Sequence, residues 1–186
     1  LKLDPSRPNV ALIGDSHAGH LYWGLSQSIP EARIIPALGF GCHPSLNPDN
    51  RELPHCKLIM NFVFKDYLVN TLKQHGRKVV LVGPVQRYSA SLPNLLARGL
   101  LKNEPHLADH FLYPGTRRLD ARLRQEATGL KVPYISSYDI LCAKGCAQIA
   151  ANGAPLQFDE AHYTEEGSMF MAAGMRPLIL EQLGVV

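Results

Sequence analysis

Three residues that could together perform covalent chemistry sit near opposite ends of the chain. Ser16 follows the apolar run Val10-Ala11-Leu12-Ile13 within Gly14-Asp15-Ser16-His17, and Asp159-Glu160-Ala161-His162 sets a carboxylate three residues before an imidazole. A serine hydroxyl is a weak nucleophile at neutral pH. It becomes useful when a neutral imidazole takes its proton and a carboxylate fixes that imidazole's tautomer. Ser16, His162 and Asp159 have the chemistry for those roles. Residues three apart on a turn or helix start share a face, so one short segment can present both base and orienting acid.

Plainer readings compete. A serine after a strand can simply cap a helix, but an Asp-x-x-His pair at the far end of the chain favours Ser16 as a nucleophile. Asp15 suits holding the turn through its side chain. His17 either touches substrate or packs beneath the site, and His20 falls on the helix surface. Residues 159–162 spell a helicase box, yet the chain has no Gly-x-x-x-x-Gly-Lys-Ser/Thr loop to cradle phosphates. Ala18 stands where the Gly-x-Ser-x-Gly elbow needs its second glycine.

The elements that must position these residues follow from hydrophobic patterning. Apolar runs at 9–13, 33–37, 78–82 and 132–136 read as strands, and 18–28, 58–75, 117–128 and 165–183 read as helices. That alternation predicts an α/β fold with a mostly parallel central sheet covered by helices on both faces, a three-layer α/β/α sandwich. Ligands in such folds gather beyond the carboxyl ends of the strands, where Ser16, residues 39–42 and residues 83–87 would converge. The stretch 88–115, with Pro93, Pro105 and Pro114, breaks the alternation and reads as irregular, either a substrate-facing insertion or surface packing.

Length and composition bound the rest. With 186 residues and 46% hydrophobic content, one domain over 9–186 is expected, entered through a linker remnant at 1–8 that carries Pro5 and Pro8. The chain starts at Leu1, has no signal-peptide pattern and has no apolar stretch approaching eighteen residues, so it reads as an excised soluble domain. The net charge of +3 comes from dispersed Lys and Arg, and nothing calls for nucleic acid. Four cysteines, Cys42, Cys56, Cys142 and Cys146, allow three pairings. The sequential one closes two loops, and a loop of roughly 15 residues is worth about 3 kcal/mol in the chain-entropy model. Zinc held by Cys42, His43, His55 and Cys56 is the weaker reading, because directly adjacent ligands chelate awkwardly. His106 and His110 have helical metal-pair spacing but no third ligand, and read as a solvated helix face.

Gly14-Asp15-Ser16-His17, Gly41-Cys42-His43-Pro44, Cys142-x-x-x-Cys146 and Phe158-Asp159-x-x-His162-Tyr163-Thr164-x-x-Gly167 follow one another along almost the whole chain. In this order they resemble the SGNH, or GDSL-like, hydrolases, and within them the SGNH domain fused behind acyltransferase-3 membrane proteins of the OafA and OafB type. The resemblance implies transfer of an acyl group, acetyl above all, to a hydroxyl of a cell-surface polysaccharide through an acyl-serine. It implies an acyl donor and a glycan acceptor as partners, an upstream transmembrane acyltransferase-3 domain, a periplasmic location, and no metal or cofactor. It also supports the oxidised pairs Cys42 with Cys56 and Cys142 with Cys146, which persist in an oxidising compartment.

The family's oxyanion hole combines the serine amide, a glycine amide after the second strand and an Asn side chain after the third. Ser16 and Gly41 match the first two, with Gly39 a close rival, but Gly83-Pro84-Val85-Gln86-Arg87 offers no Asn. Gln86 is the candidate substitute, for a donor worth about 100- to 1,000-fold in rate. Two rival functions use the same fold: a carbohydrate esterase with the same three residues, and a catalytically silent glycan-binding domain.

Overall fold

A computed structural model describes residues 6–39 and 77–185 of the chain. Within them the architecture is α/β with parallel strands. Strand β1 (Asn9–Gly14) leads through helix α1 (Ser16–Ser28) to β2 (Arg33–Leu38). The two strands pair in parallel, Asn9 opposite Arg33 through Gly14 opposite Leu38. Strand β3 (Leu81–Val82) pairs in parallel with β4 (Tyr134–Ile135). This second pair is shorter than the apolar runs predict. Lys131 turns with φ of 53°, Pro133 has no N–H to give a ladder, and Ser136 is already capping the next helix.

Helix α1 starts two residues earlier than its apolar pattern predicts, because Asp15 is its N-cap and accepts from the His17 N–H at 2.9 Å. The capping role open to Ser16 is thus taken by its neighbour, and the Ser16 side chain is left for other contacts. The last helix, Glu165–Leu183, is capped by Thr164, whose hydroxyl accepts from the Gly167 N–H at 3.1 Å and donates to the Pro155 carbonyl at 2.8 Å. Glu165 and Glu166 in its first turn complement the helix dipole.

Among the described residues between these lie three further helices and a 3-10 turn. Helix α2 spans Leu92–Lys102, a 3-10 turn spans Leu107–Phe111, α3 spans Gly115–Gly129 and α4 spans Ser137–Cys142, making the last helix α5. The expectation that 88–115 is irregular is therefore corrected. Pro93 sits in the first turn of α2, where its missing N–H needs no partner. Leu92 and Leu95 turn inward to a small apolar cluster with Tyr88 and Ala108. His106 and His110 lie exposed at the 3-10 turn, with His106 Nδ1 3.4 Å from Asp109.

The main core joins Leu21 and Leu25 of α1, Ile34 of β2, Val85, Ile135 of β4, Leu141 of α4, Leu156, and Met171 and Met175 of α5. Helices α1 and α5 pack closely. Gly24 donates its N–H to Ser168 Oγ at 2.8 Å, and a Cβ on Gly24 would lie 2.2 Å from the Ser168 carbonyl oxygen. Arg176 of α5 binds the Ser28 carbonyl at 2.7 Å and pairs with Glu31. Buried Asp120 of α3 accepts from Tyr134 at 2.8 Å and Ser136 at 2.9 Å, which ties α3 to the end of β4. Cys142 and Cys146 form a disulfide at the end of α4. The predicted helix at 58–75 and the Cys42–Cys56 pair lie outside the described residues.

Candidate active site

Ser16 is the first residue of α1, just beyond the carboxyl end of β1, and its Oγ lies 3.0 Å from His162 Nε2. His162 Nδ1 lies 2.7 Å from Asp159 Oδ2. An ionised carboxylate only accepts, so Nδ1 carries the ring proton and Nε2 is left to accept from the serine hydroxyl. The Asp159–His162 turn is self-supporting: Asp159 Oδ1 accepts from the N–H groups of Ala161 at 2.8 Å and His162 at 2.7 Å. Burial disfavours the Asp159 charge, but those two amides and the His162 ring outweigh it and hold the carboxyl below its ordinary value. The carboxylate is therefore ionised at neutral pH.

Three more rings surround His162. His17 stacks on it with centroids 4.7 Å apart and planes 17° apart, Phe158 stacks at 5.8 Å, and His20 tilts against it at 4.8 Å. His17 is held in turn by Asp15, whose Oδ2 is 3.4 Å from its Nδ1. The placement of His20 on the helix surface is corrected, since its Nδ1 donates to the Tyr163 carbonyl at 3.1 Å. Burial lowers the His20 pKa, the Tyr163 carbonyl partly opposes this, and nearby His162 and His17 add to the lowering. Sequence reasoning gave Phe158 no role. The signals were available: Phe158 immediately precedes Asp159, and His17 and His20 share a helical face.

The oxyanion donors sort on their hydrogen bonds. As the first helical residue, Ser16 has an N–H with no intrahelical acceptor. The Gly39 N–H is engaged with the Gly14 carbonyl at 2.8 Å, which removes it as a rival to Gly41. Gly41 itself lies outside the described residues. Gln86 also changes role: it is 2% exposed, and its amide donates to the carbonyls of Arg87 at 2.6 Å and Tyr113 at 3.4 Å. Both N–H hydrogens are spent on the backbone, leaving none for an oxyanion. Among the described residues no cluster of three or more His, Cys, Asp or Glu side chains could hold a metal.

The sequence pattern of the family described as "SGNH domain (fused to AT3 domains)" matches residues 66–177, well over half of the chain. The chain belongs to the SGNH domain family. The matched stretch includes Asp159 and His162 and begins after Ser16, so the serine is tied to the other two by geometry. This SGNH domain is similar in fold to the periplasmic domain of a lipopolysaccharide acetyltransferase from Salmonella ser. Paratyphi A. The TM-score is 0.74 at 21% identity, covering 94% of this chain and 84% of that one. It is also similar to a provisionally assigned acylhydrolase from Bacteroides fragilis, with TM-score 0.56, 16% identity, and coverage of 98% and 91%. No curated protein matches the chain. Among the described residues no helix is long and apolar enough to cross a membrane.

Proposed function

We propose that this SGNH domain is the O-acyltransferase part of a membrane-anchored enzyme, moving an acyl group, acetyl above all, onto a hydroxyl of a cell-surface polysaccharide. The observation that carries the reading is the hydrogen-bonded chain from Ser16 Oγ through His162 to Asp159. Ser16 Oγ attacks the acyl carbonyl while His162 Nε2 takes its proton. The tetrahedral oxyanion is held by the Ser16 amide and, in this proposal, the Gly41 amide. The leaving group departs with the proton from the imidazolium. An acceptor hydroxyl then attacks the acyl-serine, losing its proton to His162, and the ester product leaves with Ser16 restored. Family membership and the lipopolysaccharide acetyltransferase neighbour support a periplasmic setting beside an acyltransferase-3 transmembrane domain. Residues 9–186 act as one catalytic unit in this reading, with Cys42 bonded to Cys56.

One observation favours a second reading, a carbohydrate esterase: the His162 and Asp159 side chains are 27% and 29% exposed, so water can reach them. Transfer wins only where the acceptor displaces that water. The test is labelling with an organophosphonate and turnover of an activated acetyl ester. Ser16→Ala should abolish both while staying folded, and Asp159→Asn should depress turnover at every pH, on the order of 10⁴-fold, by upsetting the tautomer. Labelling of the Ser16→Ala protein at the wild-type level would sink the reading. Release of free acetate at an equal rate with and without glycan acceptor would favour the esterase.

A further inference from the structure

Against the turn that carries the base runs an open groove of about 480 Å³, lined by Arg87, Tyr88, Ser89, Ala90, Tyr113 and Glu160. Its position is fixed by the turn that carries the base, because Glu160 stands between Asp159 and His162. Tyr88 donates its N–H to the Glu160 carbonyl at 2.8 Å, and Leu92 donates to the Asp159 carbonyl at 3.0 Å. The opposite wall is tied on by the Tyr113 N–H to the Arg87 carbonyl at 2.7 Å. Groove and base-bearing turn are therefore one backbone-bonded unit, beyond the carboxyl end of β3.

Two side chains in this groove have no structural task. Tyr113 is 55% exposed, yet its ring is laid against the backbone of Gly115, where a Cβ would come 2.5 Å from the ring. Glycine leaves room for that approach, and the result is an aromatic face open to solvent. The Arg87 guanidinium is exposed and makes no ion pair or hydrogen bond among the described residues, although Glu160 lines the same groove. A fork of donors on a groove wall suits a carboxylate or phosphate. The neighbouring first turn of α3 adds Arg117 and Arg118 and contains no acid.

We propose that this groove is an acceptor subsite for a sugar unit bearing an anionic group. The apolar face of the pyranose packs on Tyr113, and its carboxylate or phosphate is held by Arg87. The proposal rests on the acyl-transfer reading for its purpose: a glycan seated here would pass along the turn that holds His162. It names a substrate chemistry that the Ser16 site by itself does not specify.

The experiment is binding measured by NMR titration of the whole chain, with no acyl donor present, using tetragalacturonate, glucose 6-phosphate and maltotetraose. The wild type should bind at least one of the anionic probes more tightly than maltotetraose, with shifts centred on residues 87–90 and 113. Arg87→Gln should weaken whichever anionic probe binds by about tenfold and leave maltotetraose unchanged. Tyr113→Ala should weaken all three, and Tyr113→Phe should restore them. The carboxylate and phosphate arms distinguish the two sources of charge. Equal binding of charged and neutral probes, no binding of any, or wild-type affinity in Arg87→Gln would overturn the proposal. Because no acyl donor is used, failure of Ser16 to label would sink the acyl-transfer reading while leaving these outcomes intact.

Discussion

His20 couples the site to pH. It packs on His162 and gives its Nδ1 proton to the Tyr163 carbonyl, and burial, reinforced by the two neighbouring histidines, lowers its pKa below 6.5. A histidine depressed in the folded state favours folding while neutral. Its contribution is full above the unfolded value of 6.5 and is lost as pH falls through the lower folded value. The wild type should therefore lose more thermal stability between about pH 7.5 and about pH 5.5 than His20→Gln does, read as the difference in Tm, since 6.5 lies between them. Equal losses in the two proteins would show that His20 titrates as it does unfolded. At Gln86 the side chain satisfies two backbone carbonyls from inside the core. Its loss belongs to stability, at about 0.5–1.5 kcal/mol per hydrogen bond lost, since both carbonyls keep a backbone donor, Tyr113 N–H for Arg87 and Thr116 N–H for Tyr113.

The contact between α1 and α5 sets the distance between nucleophile and base. Ser16 begins α1, and Thr164, two residues after His162, caps α5. The two helices meet where Gly24 lies against the Ser168 backbone. A methyl at Gly24 must push α5 outward, and overpacking of this kind costs about 1–3 kcal/mol. Gly24→Ala should lower stability by that amount in denaturant unfolding. It should also lower turnover of an activated ester under conditions where the variant is fully folded, because Ser16 begins one of these helices and His162 lies two residues before the cap of the other. Loss of stability with wild-type turnover would show that the turn 157–163 holds the base without help from the α1–α5 packing.

At the scale of the whole fold, among the described residues, one core links α1, β2, β4, α4 and α5, and the smaller cluster under α2 is bonded to the same turn that carries Asp159. Heating should give one transition, coincident by far-ultraviolet and near-ultraviolet circular dichroism. An early, separate loss of α2 would mark 88–115 as an independent unit. Reduction of Cys142–Cys146, whose members are four residues apart, should lower stability by no more than about 2 kcal/mol and leave the transition cooperative.

What the sequence determined by itself is whatever depends on near neighbours. The ends of α5 were legible because Thr164 caps and Gly184 stops the helix through contacts within a few residues. The Asp159–His162 hydrogen bond belongs to the same class, spanning one turn. Parallel pairing of β1 with β2 was legible as well, because a helix-length crossover separates two apolar runs. Helix α2 was not, since Pro93 reads as a breaker until its place in a first turn is known and its apolar face finds a partner only in the fold. The turning of His20 into the site and the use of Gln86 and Gly39 by backbone carbonyls were also decided by the tertiary structure. So was the approach of Ser16 to His162 across 146 residues. In each of these, the partner lies far along the chain or is a backbone group whose availability depends on every other hydrogen bond being made.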